Sequence, residues 1–156
     1  MEEELKKTIL ITNGSGKNGK DTFAGYIKDL KKTRKVSSID FVKNLVIPCT
    51  RKHDSFIKGD KYRKLLSDIK KAILSFNEDF FVDLMLQEVE DFKNSDEEIL
   101  IVDIREPEEI DKFKLAISVL YNIKVYTVLV VNENIPQIIS NSSDANVYDY
   151  AYDYLI

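Results

Sequence analysis

The stretch Gly14-Ser15-Gly16-Lys17-Asn18-Gly19-Lys20-Asp21-Thr22 holds the residue types and spacing best suited to chemistry in this chain. It fits the pattern G-x-x-x-x-G-K, with Asp21 where Ser or Thr usually follows the lysine and Thr22 one place later. Glycines let the backbone curl until successive N–H groups point inward as a nest for an anion. A helix that starts where the loop ends adds roughly half a positive charge. In such a loop Lys20 would reach the outer phosphates of a polyanion, Lys17 would add a second cation and Thr22 would offer a hydroxyl. Asp21 is the discordant member. A carboxylate beside a polyphosphate repels it unless a metal ion or a basic group intervenes, so Asp21 is expected to face the water shell of Mg²⁺ or to cap the helix.

A second candidate is Asp103, which closes the apolar run Ile99-Leu100-Ile101-Val102. The carboxyl ends of neighbouring strands in a parallel sheet share one rim, so Asp103 should lie near the loop and orient Mg²⁺ or its waters. The plain alternative is a strand-end aspartate that caps the next helix. Arginine is scarce, with Arg34, Arg51, Arg63 and Arg105 beside 19 lysines. A planar guanidinium grips phosphate with two parallel hydrogen bonds, which an ammonium does not. Arg105, two residues past Asp103, together with Arg51 and Arg63, are the candidates for holding a second phosphate-bearing molecule. Surface ion pairs are the bland alternative for each, and Arg34 beside Lys35 reads as solvent-facing. His53, in the polar stretch Arg51-Lys52-His53-Asp54, reads as an exposed histidine and not as part of a nucleophilic mechanism. Val131-Asn132-Glu133-Asn134 does not supply the N-K-x-D segment that reads guanine.

These residues need elements to position them. Thr8-Ile9-Leu10-Ile11-Thr12 is short and β-branched, and predicts a buried strand before the loop. Phe23, Ile27 and Leu30 fall on one helical face after it, and Lys31-Lys32 suit that helix's last turn. Val36–Ile39 predicts a second strand. Residues 40–97 are too many for a plain crossover and must hold helices of their own. Tyr62, Leu65, Leu66, Ile69, Ile73 and Phe76 trace one amphipathic helix. Phe81, Leu84, Met85, Val89 and Phe92 trace another over 79–92. The continuous apolar run 99–102 reads as a strand buried on both faces, hence a parallel sheet covered by helices on each side. Ile110, Phe113, Ile117 and Leu120 make the next helical stripe, and 125–131 the next buried strand. Tyr148, Tyr150, Tyr152 and Tyr154 recur at period two and predict a last strand over 147–156. Pro48, Pro107 and Pro136 are expected at element ends. Alternating strands and helices give a three-layer α/β/α fold.

Composition fits this reading. The chain has 156 residues, about one domain, with 44% hydrophobic and 32% charged residues, which excludes a disordered tail or a fibrous repeat. The net charge of −4 gives no global attraction to nucleic acid, so an anion must be caught by local geometry. One Cys (Cys49) and one His exclude an internal disulfide and make a Cys/His zinc cage an unsuitable reading. The opening MEEELKK has no apolar run, and no stretch approaches the ~18 apolar residues of a membrane span. The expectation is a cytoplasmic single domain over 1–156 with small-molecule partners, neither nucleic acid nor membrane. No sequence feature sets an oligomeric state.

The motifs together resemble one family. Gly19-Lys20-Asp21-Thr22-Phe23-Ala24 resembles the G-K-D-T-x-A start of phage-type deoxynucleoside monophosphate kinases, relatives of the adenylate-kinase-like P-loop kinases. Asp103-Ile104-Arg105-Glu106-Pro107-Glu108-Glu109 is similar to their D-x-R-F-P-N-E, and Ile39-Asp40-Phe41-Val42-Lys43 to their A-D-P-L-K. Arg63-Lys64-Leu65-Leu66 is similar to R-x-L-L, and Tyr152-Asp153-Tyr154-Leu155-Ile156 to F-D-Y-V-I. The matches come in order along nearly the whole chain, and the first two are the most specific. The resemblance implies a P-loop NTPase fold with about five parallel strands in the order 2-3-1-4-5 and a helical acceptor-binding insertion within 40–97. It implies transfer of the γ-phosphoryl of ATP, with Mg²⁺, to a (deoxy)nucleoside monophosphate. Gly14, Gly19, Lys20 and Thr22 then carry the ATP role and Arg63 and Arg105 the acceptor-phosphate role, with Asp40 and Asp103 lining the junction. This sequence departs from the family in its lid, since 132–146, the lid-like segment, contains no Arg or Lys. Lys17, Lys20, Arg63, Arg105 and Mg²⁺ would then neutralise the transferring group. A kinase of dephospho-coenzyme A or phosphomevalonate, and a non-catalytic nucleotide sensor with a degenerate lid, are the other readings.

Overall fold

A computed structural model describes residues 6–14, 19–50, 59–131 and 147–156, apart from the side chain of residue 149. The loop positions Ser15, Gly16, Lys17 and Asn18, the candidates Arg51 and His53, Pro136 and the segment 132–146 lie outside the described residues. In chain order the elements are β1 (Thr8–Asn13), α1 (Lys20–Leu30), β2 (Thr33–Ser37), α2 (Asp40–Thr50), α3 (Asp60–Phe76), α4 (Phe80–Lys93), β3 (Ile99–Asp103), α5 (Pro107–Leu120), β4 (Lys124–Leu129), a 3₁₀ turn (Val147–Asp149) and β5 (Tyr154–Leu155).

The five strands form one sheet in the order β2-β3-β1-β4-β5, every neighbouring pair parallel. The runs that read as buried on both faces take the interior places. β1 lies between β3 and β4, with Ile9 opposite Leu100 on one side and Val125 on the other. Side chains alternate across such a sheet. Ile9, Ile11, Leu100 and Val102 bury one face against Val82, Met85, Val89 and Phe92 of α4 and Ile110, Phe113 and Ile117 of α5. Val36 of β2 joins that core, whereas its neighbour Lys35 reaches Asp21 on α1. Helices therefore lie on both faces of the sheet. Phe113 is fully buried, and its truncation to Ala would remove about 3–5 kcal/mol.

A second, smaller core joins Val42 and Val46 of α2, Leu66 of α3 and Phe81 at the start of α4. The expected insertion within 40–97 is thus divided. α2 and α3 form an outer pair, while most of α4 covers the sheet.

Three local expectations need correction. β2 starts at Thr33, not Val36, because the first residues of this edge strand are polar and charged and carry no apolar signal. The tail does not run as one strand. It begins as a 3₁₀ turn, and only Tyr154 and Leu155 pair with β4, since Tyr152 turns inward to hydrogen-bond Val147 and Asn13. Pro48 lies inside α2, two residues from its end, whereas Pro107 opens α5 as expected, where its missing N–H leaves no intrahelical bond unmade.

Gly14 marks a close approach of backbones. A Cβ built there would stand 2.5 Å from the Val130 carbonyl oxygen, while one on Gly25, within α1, would meet nothing within 4 Å. Gly14→Ala should therefore lose about 1–3 kcal/mol. Gly25→Ala should gain roughly 0.5–1 kcal/mol from helix propensity. Urea unfolding of the two variants checks this, and a neutral Gly14→Ala would show that the strand end can shift freely.

Candidate functional site

The connection that leaves β1 enters α1 on one face of the sheet, and the one that leaves β3 enters α5 on the other. The carboxyl ends of these adjacent strands part at that point, which is where open parallel sheets form their ligand crevices. The register sets Thr12 opposite Asp103 there. The Thr12 hydroxyl donates to Asp103 Oδ1, and Lys35 Nζ lies 3.6 Å from Asp103 Oδ2. Lys35 also pairs with Asp21 Oδ1 on the first turn of α1. Two carboxylates separated by 82 positions in the chain thus share one ammonium. Burial works against the charged form of Lys35, but Asp21 and Asp103 outweigh it and hold its pKa above the ordinary lysine value. Lys35 in turn holds the Asp21 carboxyl below its usual range.

Asn13, at the end of β1, is fully buried and ties three segments together. Its Nδ2 donates to the Arg105 carbonyl at 2.9 Å and to Tyr152 Oη at 2.8 Å, and its Oδ1 accepts from the Gly14 N–H at 2.9 Å. Tyr152 Oη passes its own hydrogen to the Val147 carbonyl at 2.5 Å. Burial pushes the Tyr152 phenol up to about 12, although the bond from Asn13 pulls the other way. The strand before the loop, the segment after Asp103 and the C-terminal segment are therefore locked to one carboxamide.

The loop re-enters the described residues at Gly19, whose φ of 89° lies in the left-handed region open to glycine. Its carbonyl accepts from Phe23 N–H to start α1. Lys20 follows as the first helical residue. Its Cγ lies 3.6 Å from where a Cβ on Gly14 would stand, so the stem folds back over the strand end.

A third cluster stands behind Arg105. Lys70 of α3 is 4% exposed, and its Nζ lies 2.8 Å from Glu106 Oε2 and 3.0 Å from Glu109 Oε2. The ammonium also sits 5.1 Å from the centre of the Phe81 ring. This buried group pins the outer helix pair to the first turn of α5. Glu109 Oε1 and Ser67 Oγ are buried there without a hydrogen-bond partner.

Among the sequence candidates, the structure gathers Asp21, Asp103 and the backbone of Arg105 at the parting of β1 and β3, with Lys20 folded over Gly14. Thr22 is exposed on α1. Asp40 is exposed and accepts from the Ser37 N–H at 2.9 Å, so its carboxylate shapes the β2–α2 turn. Arg63 is half-buried in the first turn of α3, and its side chain shares no hydrogen bond or ion pair with other described residues. Arg34 is not solvent-facing. It is half-buried and pairs with Glu97 at 2.8 Å and Glu88 at 3.4 Å. Lys35, Asn13 and Lys70 are not singled out by the sequence, because each finds its partners through tertiary contacts, and the period-two signal of Tyr152 points to a strand and not to its bonds with Asn13 and Val147.

The described residues contain no group of three or more His, Cys, Asp and Glu side chains arranged to hold a metal ion. Both Asp103 oxygens are already engaged by Thr12 and Lys35. A metal ion at Asp103 would find there one carboxylate and no ligand cage among the described residues, and would have to keep most of its waters. No described helix is long and apolar enough to cross a membrane. No family model matches the chain, and no curated protein matches it significantly.

Burial raises the Glu109 carboxyl above its ordinary value of 4.5, against the pull of Lys70. A raised native pKa contributes stability that is complete below the ordinary value and is lost as the pH climbs through the native one. Urea unfolding of Glu109→Gln against the parent, from about pH 4 to about pH 8, should show the variant gaining relative stability as the pH rises. A constant difference would remove Glu109 as a titrating contributor to the fold.

Proposed function

We propose that this chain is a P-loop kinase that moves the γ-phosphoryl of ATP to a small phosphate-bearing acceptor, most consistently a (deoxy)nucleoside monophosphate. The observation that carries this reading is the meeting of the Gly14…Gly19-Lys20 strand–loop–helix with Asp103 and the Arg105 segment at the switch point of a parallel 2-3-1-4-5 sheet. The family resemblance supplies the substrate class, and the geometry supports a site for a polyanion.

In this reading backbone amides of the loop and the α1 N-terminus hold the phosphates, and Lys20 spans the outer two. Mg²⁺, when bound, spreads the charge of the transferring group. Arg105 and Arg63 grip the acceptor phosphate from the rim and from α3. That phosphate dianion is itself the nucleophile, so no general base is required. Its oxygen bonds to the γ-phosphorus while the bridge to the β-phosphate breaks, and ADP leaves with that bridging oxygen. The protein's contribution is alignment and charge neutralisation. The sensor reading draws support from the absence of Arg and Lys in 132–146, where kinases of this type carry lid arginines.

ADP formation measured against a panel of nucleoside monophosphates, dephospho-coenzyme A and phosphomevalonate separates the readings. The kinase reading expects acceptor-dependent turnover that falls about 10²–10³-fold in Lys20→Ala. Arg105→Lys should raise KM for the acceptor more than for ATP, because an ammonium cannot replace the bidentate grip. Tight ATP binding without turnover on any acceptor would select the sensor. Turnover only with dephospho-coenzyme A or phosphomevalonate would select the other kinases.

A further inference from the structure

Lys35 occupies the space between Asp21 and Asp103, the two carboxylates assigned above to the water shell of a metal. We propose that Lys35 is a built-in cation that holds both carboxylates and keeps a divalent ion off the nucleotide-free protein, so that metal enters only together with the nucleotide's phosphates. This inference rests on the reading of the rim as a nucleotide site.

The geometry carries it in three steps. The Lys35 side chain, on β2, is 21% exposed, and that of Asp103 is 13% exposed, whereas that of Asp21 is 94% exposed. The ammonium and Asp103 are therefore fixed by the sheet, and Asp21 is drawn to them. Next, Asp103 Oδ1 accepts from Thr12 and Oδ2 faces Lys35, so a metal ion reaching either oxygen has to compete with a protein donor or cation already beside it. Finally, Lys20 and Lys43 add positive potential at Asp21. A hydrated divalent ion approaching this rim meets two carboxylates whose joint charge Lys35 halves, and the described residues offer no larger acidic cluster in compensation. A polyphosphate reverses the balance, because it brings negative charge and oxygen ligands of its own.

The same ammonium explains how an aspartate can follow the loop lysine. Left unpaired, Asp21 would repel a polyphosphate; with Lys35 beside it, much of that repulsion is offset by the ammonium it shares with Asp103. Lys35 is a positioning residue in this account, acting on the ligand through Asp21 and Asp103.

Mn²⁺ binding to the nucleotide-free full chain, followed by electron paramagnetic resonance, tests the proposal without reference to turnover. The parent and Lys35→Arg should bind Mn²⁺ weakly and alike. Lys35→Gln and Lys35→Met should bind it about ten-fold tighter or more, since two carboxylates lose their shared counter-charge. Adding Asp21→Asn to Lys35→Gln should return the affinity to the parent's. Equal Mn²⁺ affinity in the parent and in a folded Lys35→Gln, with circular dichroism as the check on folding, would overturn the proposal, and the Gln variant decides alone if the Met variant does not fold. Calorimetry with ATP on the parent keeps the two readings apart. Absence of ATP binding counts against the kinase reading, while the Mn²⁺ comparison alone decides the role of Lys35.

Discussion

The rim of this sheet depends on the buried carboxamide of Asn13. A fully buried amide must satisfy its donors and acceptor internally, and Asn13 does so with one bond each to the Arg105 carbonyl, Tyr152 Oη and the Gly14 N–H. Each partner belongs to a different stretch of chain. The end of β1 cannot move relative to the Asp103–Arg105 segment or the C-terminal segment without leaving a polar group stranded, at about 1–3 kcal/mol per group. The Val130 N–H donates to the Asn13 carbonyl at 2.8 Å and fixes the exit of β4 to the same residue. The close approach at Gly14 follows from this. The backbone at Gly14, where the glycine-rich segment begins, is clamped on both sides.

Charge at the rim is handled by lysines that the sheet and the helices hold in place. Lys35 and Lys70 each stand between two carboxylates, one pair on the α1 face and one against α5. Lys70 is the more deeply buried, and a buried ion pair is a poor source of net stability, because desolvation of the charges offsets most of their attraction. What it contributes is a fixed relation. Glu106 and Glu109 follow Arg105 within one helical turn, and Lys70 sits on α3 with Arg63 two turns earlier. The Lys70 cluster therefore ties together the two elements that bear the acceptor-phosphate arginines of the proposed function. The unpartnered Glu109 Oε1 and Ser67 Oγ lie in the same place, and buried polar atoms of this kind are met by an ordered water where space allows.

The sequence was most legible where burial is complete and least legible where partners are remote. The 99–102 run could be read as an interior strand because both of its faces are apolar, and β1 for the same reason. Those two readings, with the helical stripes around them, carried the layer arrangement and, through the family resemblance, the strand order. β2 was half-hidden because Thr33, Arg34 and Lys35 satisfy an edge strand with polar partners, Arg34 on Glu97 and Lys35 on the two aspartates. The tyrosines at period two suggested a longer last strand than the two residues that pair. Tyr150 and Tyr152 instead place their hydroxyls on Asp111 and Val147. Of the candidates in contiguous motifs, Asp21, Asp103 and the Arg105 backbone come together in the structure. Asn13 and Lys35 stand in no motif, and their meaning comes from partners up to 139 residues away.

The substitution of aspartate after the loop lysine shows how the two kinds of information combine. From sequence alone Asp21 conflicts with its neighbours, since a carboxylate at a helix N-terminus suits the helix dipole but repels a bound polyphosphate. The sheet resolves the conflict from outside the motif. Parallel pairing in register sets Lys35 opposite Ile101 and Ser37 opposite Asp103, and Thr12 opposite Asp103 on the other side. Side-chain alternation then turns Lys35, Asp103 and Thr12 to the same face as α1. A one-residue slip of β2 would send Lys35 into the apolar core against α4 and carry Val36 out to the rim. The apolar demand for Val36 at the core is thus what delivers the ammonium to Asp21, and a packing constraint on one face of the sheet sets the electrostatics of the other.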